Sequence, residues 1–314
     1  MSQPRVVSLL PSATELVCAL GAASNLVGIS HECDFPEAIR GLPVLTHSRV
    51  GNELSSRAID AAVRAVVKDA LSIYTVDEPR LAALAPDLIL TQDLCEVCAV
   101  SLEDVRSAVA RLAQRDAVRI VSFRPTRLEH VLGDVETVAR ALGRAERGGA
   151  LRAALQARIT AIAERASQAA RRPRVVSVEW LEPVMLGGTW MPELIALAGG
   201  EAFGALPGAP APTVALSELA RLEPDIVVVK PCGFDLARTL RERALIDALL
   251  AAAGPRARLY VTDGNAFFNR PGPRLVESLE ILAACIHPEL FPDFDQKHRA
   301  VLVPLGPDRL LPVV

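Results

Sequence analysis

The sequence lacks the features that mark several classes of protein. It contains no stretch of about 18 consecutive apolar residues, so no segment is expected to cross a bilayer. It also lacks a basic excess, because 34 Lys and Arg residues stand against 37 Asp and Glu residues, a net charge of −3. Nucleic acid is therefore not expected as a partner, since its phosphates are bound by clustered positive charge.

Cysteines are also scarce, and the beginning of the sequence does not have the pattern of a secretory leader. The 314 residues include only 6 cysteines, too few for a disulfide framework. Residues 1–5 run directly into the apolar segment 6–10, without the basic region and cleavage site of a leader. We therefore expect a cytoplasmic protein with reduced thiols, or a periplasmic one if the chain has been trimmed.

Motifs typical of common enzyme classes are missing as well. The sequence contains no Walker loop, no Gly-x-Gly-x-x-Gly after a strand and no Gly-x-Ser-x-Gly elbow. We therefore expect a protein that binds without catalysing a reaction.

The sequence does contain two internal repeats in the same order. Residues 4–8 recur letter for letter at 173–177, and the Pro-Asp segment 81–90 matches 219–228. Each copy includes a continuously apolar run, which is typical of a parallel strand covered on both faces. The two repeats have different offsets, which predicts an insertion near residues 47–76 of the first half.

Between the two halves the sequence has helical periodicity, interrupted at Gly148 and Gly149. We predict an α/β protein with two Rossmann-like lobes, each with a central parallel sheet, joined by a rigid backbone helix. The predicted boundaries are 1–125 for the N-terminal lobe, 126–172 for the connecting helical segment and 173–314 for the C-terminal lobe. A cleft between such lobes is the expected ligand site.

Candidate ligand-binding residues follow the predicted strands, because open parallel sheets bind ligands beyond the carboxyl ends of their strands. Aromatic residues make up only 4 % of the chain, yet both tryptophans and one Phe pair fall there. Flat side chains suit a large planar ligand, although the tryptophans could instead cover the core of the second lobe. The candidates are Ser12, Ser30, His31, Glu32, Gln92, Trp180, Trp190, Phe267, Phe268 and Arg270.

Cysteine and histidine residues form a second group of candidates. His31, Cys33, Cys95 and Cys98 fall in two loops that are expected to be neighbours. Three thiolates and one imidazole could hold zinc. A helix starting after Cys98 could instead activate a thiol for redox chemistry. The third reading is a reduced pocket in which His31 forms a hydrogen bond with a ligand or a carboxylate.

Longer motifs resemble a known family. Segments 5–21, 26–36, 192–200 and 268–274, together with the Leu-Ala-x-Leu-x-Pro-Asp strands, are similar to class III substrate-binding proteins of ABC transporters. These proteins bind cobalamin and iron chelates, and the likeness is greatest to the cobalamin-binding branch. The resemblance spans nearly the whole chain, and segment 5–21 is its most specific part.

The resemblance implies two lobes linked by a backbone helix, with a corrinoid gripped between them by aromatic and backbone groups. His31 or a cysteine is then a candidate ligand of the cobalt. Haem, an iron–siderophore, zinc and a thiol-dependent corrinoid-processing or redox function are the alternatives. The positions that the resemblance places in the cleft are Ser12, Ser30, His31, Trp190, Phe268 and Arg270.

The resemblance also implies an ABC permease as partner, although the chain departs from the family pattern. Family members dock on permease arginines through one exposed acidic residue in each lobe. Glu78 lies near the first of these positions, but Asn269 stands at the second. The Cys95–Cys98 loop has no counterpart in the periplasmic cobalamin binder. These differences favour corrinoid binding over transport, by a chain expected to be a monomer.

Overall fold

The computed structural model describes residues 3–51, 53–68, 74–92 and 118–305. The chain divides into two compact units. The first unit comprises Met1–Leu54, Ala58–Pro125 and Glu129–Leu155, and the second comprises Ser55–Arg57, Thr126–Leu128 and Gln156–Val314.

The first half of the chain alternates strands and helices, as its repeats predict. Its elements are β1 (Val6–Ser8), α1 (Pro11–Ala19), β2 (Leu26–Ile29), β3 (Thr46–Ser48), α2 (Ser56–Lys68), β4 (Tyr74–Val76), α3 (Glu78–Leu84), β5 (Leu88–Gln92), β6 (Arg119–Phe123), α4 (Leu128–Ala141) and α5 (Ala145–Ala166). Strands β2, β1, β5 and β6 form a parallel sheet in that order. Strands β3 and β4 form a separate antiparallel pair within the region predicted to be an insertion.

Sequence signals at the ends of α1 explain where it begins and stops. Pro11 occupies the first turn, where a missing N–H costs nothing, and residue 10 before it is extended. Gly21 follows the helix with φ +69°, a left-handed conformation that favours glycine, and its N–H donates to Cys18 O over 2.9 Å. The helix therefore holds the residue after β1 at a defined place beside the sheet.

The segment between the halves contains two helices rather than one interrupted helix. The break lies at Gly143, which has φ +69°, between α4 and α5. Gly148 and Gly149, where the sequence predicts the interruption, lie inside α5. Gly148 is there for close packing, because a Cβ at this position would overlap with the Cβ of Ala139 on α4. The sequence cannot distinguish a packing glycine from a helix-ending one.

The second half has more antiparallel pairing than predicted. Its elements are β7 (Arg174–Trp180), β8 (Val184–Leu186), α6 (Met191–Leu197), β9 (Glu201–Ala202), β10 (Thr213–Val214), α7 (Leu216–Arg221), β11 (Ile226–Val229), α8 (Leu236–Leu240), α9 (Arg243–Ala253), β12 (Arg258–Thr262), α10 (Leu275–Ile286), α11 (Pro292–His298) and β13 (Leu302–Leu305). Strands β7, β11 and β12 are parallel, and β9 joins β7 in parallel. Strands β8, β10 and β13 add antiparallel edges.

Each sheet packs on its own apolar core. In the first unit, Val7, Leu9, Leu45, Leu81 and Ile89 are buried together. In the second unit a larger cluster packs against one face of the sheet, and it includes Val176, Val178, Leu186, Val227, Val229, Ile246 and Leu259. The α/β fold class with two sheets is confirmed. The domain boundaries remain a prediction, as does the rigidity of the connection.

No helix within the described ranges combines the length and the apolar character needed to cross a membrane.

Candidate functional site

We call the carboxyl ends of β1, β2 and β5, with the residues directly after them, the first rim. Ser12 lies in the first turn of α1, with only 4 % of its surface exposed. Two residues on, the hydroxyl of Thr14 donates to Ser8 Oγ over 2.8 Å and lies 3.1 Å from Cys33 Sγ. Cys33 is therefore tied to α1 through a hydroxyl group, an interaction that the sequence does not reveal.

Thr46 on β3 holds the most polar part of the first rim. Its Oγ1 lies 2.9 Å from Ser30 Oγ and 2.7 Å from His31 Nδ1, and it accepts from the His31 backbone N–H over 3.0 Å. Thr46 is only 1 % exposed. Its single oxygen therefore fixes both the loop after β2 and the orientation of the imidazole.

The hydrogen bonds around Thr46 are compatible with two tautomers of His31. If the Ser30 hydroxyl and the His31 N–H both donate to Thr46 Oγ1, its own hydroxyl donates to Nδ1. Nε2 then carries the hydrogen, and it lies 3.2 Å from Glu32 Oε1, an acceptor. The Nε2 atom is buried and makes no well-aligned hydrogen bond within the described part of the chain.

Rotation of the Thr46 hydroxyl group changes the tautomer of His31 and therefore whether Nε2 donates or accepts. If the Thr46 hydroxyl donates to Ser30 instead, Nδ1–H donates to Thr46 and Nε2 presents a lone pair. Histidines that bind metals are commonly held in this way by a second hydrogen bond. The Tyr74 ring, 5.0 Å from the imidazole centroid, supports the side of the ring in either state. His31 is thus built either to donate to a ligand or to coordinate a metal.

The remaining candidates of the first unit are less informative. Gln92, the last residue of β5, is 8 % exposed. Cys95 and Cys98 lie outside the described residues, so their part of the metal prediction has no structural description. Among the residues that are described, no group of three or more His, Cys, Asp or Glu side chains is arranged to hold a metal ion.

The cysteines buried elsewhere are not activated thiols. Burial, with help from the nearby Glu15, raises the pKa of Cys18 to about 11. Burial also raises the pKa of Cys285 far above its usual range. Both remain protonated at neutral pH, whereas reactive cysteines have lowered pKa values.

We call the carboxyl ends of β7, β11 and β12, with the residues directly after them, the second rim. Lys230 directly follows β11 and is completely buried. Its Nζ lies 3.2 Å from Glu179 Oε2 on β7 and donates to Asn269 Oδ1, after β12, over 2.9 Å. The Asn269 amide donates in turn to Lys230 O and Gly264 O. Three strand ends are thereby joined around one buried ammonium group.

Trp190 and Phe268 belong to the packing of this rim. Trp190 is 5 % exposed, and its indole N–H donates to the Phe268 carbonyl over 2.8 Å. Phe268 is 1 % exposed, and its own N–H donates to Ser278 Oγ. Its φ of +67° is unusual for a bulky residue, and these contacts stabilise it. The sequence predicts that both rings lie at the rim, because both follow predicted strands. It could not show that both rings are buried there.

Trp180, the last residue of β7, retains part of its surface. Its ring packs against Phe234 with centroids 5.2 Å apart. Its indole N–H is buried and has no hydrogen-bond acceptor among the described residues. An unpaired buried donor costs free energy, so this group is suited to a partner other than the described residues.

Phe267 and Arg270 complete the second rim. Phe267 is half-buried between the guanidinium of Arg274, 5.6 Å from its centroid, and the edge of His298. Arg270 is 8 % exposed and donates to Asn265 Oδ1 over 2.9 Å. The structure thus holds its charge against the loop, with little of it exposed.

The list of candidate ligand-binding residues omits the two residues that organise the rims. Thr46 lies directly before the predicted insertion at residues 47–76 and belongs to no motif. Lys230 stands directly after an apolar strand, and that position was the available signal, since a buried lysine requires a partner.

Three comparisons relate this chain to known proteins. A family model described as periplasmic binding protein matches residues 6–253. The vitamin B12-binding protein of Yersinia pestis (strain Pestoides F) is 25 % identical over 276 residues, covering 87 % of this chain and 82 % of that protein.

Solved structures show the same fold. The periplasmic heme-binding protein RhuT from Roseiflexus sp. RS-1 superimposes with a TM-score of 0.67 at 20 % identity, covering 92 % of this chain and all of that one (100 %). The periplasmic vitamin B12-binding protein BtuF of Vibrio cholerae has a TM-score of 0.63 at 18 % identity, covering 90 % and 96 %.

The prediction of a cytoplasmic location is wrong. The matching family model describes periplasmic binding proteins, and the similar solved structures are periplasmic proteins, which points to an extracytoplasmic location. The prediction depended on the residues at which the sequence begins, and those residues do not decide where a protein acts.

Proposed function

The chain belongs to the periplasmic binding protein family, and from that premise we propose that its ligand is cobalamin or a related corrinoid. It is a non-catalytic substrate-binding protein of the ABC-transporter type, with a small-molecule ligand and an ABC permease as partner. The identity of the ligand and the permease partner are the proposed parts.

The observation that carries the corrinoid proposal is the kinship with vitamin B12-binding proteins. The match extends over 87 % of this chain. A match of this length extends well beyond one shared motif. Proteins that share a whole fold still differ in their sites, so the residues of each rim must also suit a corrinoid.

The first rim supports a ligand that contains a metal. Ser30, His31 and Glu32 form one hydrogen-bonded group on Thr46, with His31 Nε2 as its unsatisfied atom. An imidazole held in this way can ligate the cobalt of a corrinoid or donate to one of its side chains. We assign the direct contact to His31, which Thr46 orients, and Ser30 holds the Thr46 hydroxyl in place.

The second rim supports a ligand with a flat face and polar edges. Trp180 contributes part of an aromatic surface and an unpaired indole N–H. We assign ligand contacts to Trp180 and Phe267. We assign a structural role to the buried Trp190, Phe268 and Arg270, which maintain the loop that carries Phe267. We assign a structural role in the first unit to Ser12 and Gln92, which are also buried.

Haem or another iron chelate is the second candidate ligand. It is favoured by the structural likeness to RhuT, a heme-binding protein. Haem is also a planar metal macrocycle, so His31 and Trp180 would serve it equally well. What separates the two ligands chemically is their periphery, because corrinoids carry carboxamides and haem carries carboxylates.

Titration of the purified chain with cyanocobalamin, and separately with haemin, tests the proposal. We expect saturable binding of cyanocobalamin at micromolar concentration, followed by tryptophan fluorescence and by the visible spectrum. We expect aquocobalamin, which has an exchangeable axial ligand, to show a spectral shift that is lost in His31→Ala. His47→Ala, an exposed position on β3, is the matched control. Binding of haemin alone would replace the corrinoid proposal with the second candidate.

A further inference from the structure

One carboxylate of the second rim is fixed in place and partly exposed. Glu179 Oε2 lies 3.2 Å from Lys230 Nζ and accepts from the Gly188 backbone N–H over 3.3 Å. Its side chain is 25 % exposed, whereas that of Lys230 is 0 % exposed. The ion pair therefore presents its negative end outwards. The other oxygen, Oε1, accepts no hydrogen bond within the described part of the chain.

The surroundings of Lys230 keep this carboxylate from moving. Asn269 accepts from the ammonium group over 2.9 Å and donates to Gly264 O over 2.8 Å. A Cβ at Gly264 would lie only 2.6 Å from the carbonyl carbon of Lys230, so the two loops are in close backbone contact. A group held in this way loses little conformational entropy when a ligand binds, which favours selectivity.

A carboxylate is only an acceptor, so it discriminates sharply between two kinds of ligand group. An N–H from a primary carboxamide can donate to Glu179 Oε1. A ligand carboxylate cannot donate, repels the negative charge and must lose its own hydration. The buried Lys230 cannot reach out to compensate, because its ammonium group is fully covered.

We propose that Glu179 is a specificity-determining residue, which accepts a hydrogen bond from a peripheral carboxamide of the ligand and excludes carboxylates at that position. The inference rests on the proposed corrinoid function and makes it more specific. Lys230 and Asn269 are positioning residues, which act on the ligand only through Glu179.

The first test changes the ligand and leaves the protein intact. Cyanocobalamin is compared with its separated monocarboxylic acids, in each of which one carboxamide has been hydrolysed. We expect one isomer to bind the wild-type chain at least roughly tenfold more weakly at pH 7, since a hydrogen bond to a charged group is lost. Equal affinity for every isomer would overturn the inference, although corrinoid binding would still stand.

The second test changes the acceptor. Glu179→Gln retains a carbonyl oxygen for Lys230 and supplies an N–H₂ group that can face a carboxylate. We expect the weak isomer to recover to within about threefold of cyanocobalamin. Glu201→Gln removes the same charge from an exposed position beside Arg174, at the opposite end of β7, and is expected to leave the ratio unchanged.

The results distinguish a failure of the proposed corrinoid function from a failure of the role proposed for Glu179. If neither corrinoid nor haemin binds, the proposed function fails. If haemin binds more tightly than cyanocobalamin, or if Glu179→Gln folds normally and leaves the isomer ratio unchanged, Glu179 does not select carboxamides. If Glu179→Gln does not fold, the isomer series on the wild-type chain decides the question.

Discussion

The two rims use different means to hold side chains at the ends of their strands. In the first rim, Thr46 gathers Ser30 and His31 through hydroxyl hydrogen bonds, without a buried charge at the centre. In the second rim, a buried ammonium group joins Glu179 and Asn269. A hydroxyl can reverse its hydrogen bond at little cost, whereas a buried charge cannot lose its partner. The first rim is therefore adaptable and the second is rigid.

The largest expected effect comes from removing the partner of the buried charge. Glu179→Ala leaves Lys230 uncompensated and should lower the free energy of unfolding by about 3–5 kcal/mol. Asp247→Ala breaks the exposed pair with Arg243 and should cost no more than about 0.5 kcal/mol. Urea denaturation measures both. Similar losses in the two variants would show that the burial of Lys230 does not make its ion pair more costly to break.

The second effect concerns the charge cluster around Glu280, which contacts the second rim through His298. Burial alone would raise the pKa of Glu280, but hydrogen bonds from His298, Lys297 and Arg158 outweigh it and hold the pKa at about 2, below its usual 4.5. His298 also contacts the ring of Phe267 at the rim. The stabilisation is therefore present above pH 4.5 and is lost as the pH falls towards 2.

Glu280→Gln should accordingly destabilise the chain by about 3 kcal/mol at pH 7, and by much less near pH 2.5. Denaturation curves across this pH range measure the difference. Glu277→Gln is the control, because its carboxylate is more exposed and pairs only with Arg158 within the described residues. A loss for Glu280→Gln that does not change with pH would show that the cluster does not depend on ionisation.

The first unit has the opposite pH dependence. Burial raises the pKa of Asp134, on α4, from 3.8 to about 7. The folded chain therefore favours the protonated acid, and stability falls as the pH rises from about 4 through 7. Asp134→Asn should stabilise the chain by about 2 kcal/mol at pH 8 and have little effect at pH 4. Glu146→Gln, at an exposed position on α5, is the control. An equal gain at both pH values would refute the explanation.

The smallest expected effect tests the adaptable rim. Thr46→Val keeps the shape but removes the hydroxyl, which leaves Ser30 and the His31 N–H without their partner. We expect a loss of about 1.5 kcal/mol in unfolding free energy and weaker ligand binding. Thr46→Ser should restore both, since the hydroxyl returns. If Thr46→Ser binds cyanocobalamin no better than Thr46→Val, the hydroxyl does not orient His31.

Much of the scaffold could be predicted because it follows from local apolar pattern. The repeated segments at 4–8 and 173–177 lead into β1 and β7, and the Pro-Asp segments lead into β5 and β11. Helix ends such as Gly21 could be read in the same way. The exception is the helix break, which lies at Gly143 and not at Gly148–Gly149. A glycine that ends a helix and a glycine that allows close packing cannot be distinguished in the sequence.

Pattern alone could place residues at the strand ends but could not say which of them remain accessible. Trp190 and Phe268 stand where the sequence predicts ligand contacts, yet both side chains are buried. Thr46 has no motif, and its importance depends on contacts with residues 15 and 16 positions away along the chain.

The sequence by itself determined the α/β alternation, the twofold plan and the candidates that end the strands, since apolar periodicity and helix-ending residues act over a few neighbours. Only the tertiary structure decided that Lys230 is buried against Glu179, that Thr46 orients His31, and that Trp180 keeps an unpaired N–H. Charge pairing, hydrogen bonding and burial depend on which distant segments meet.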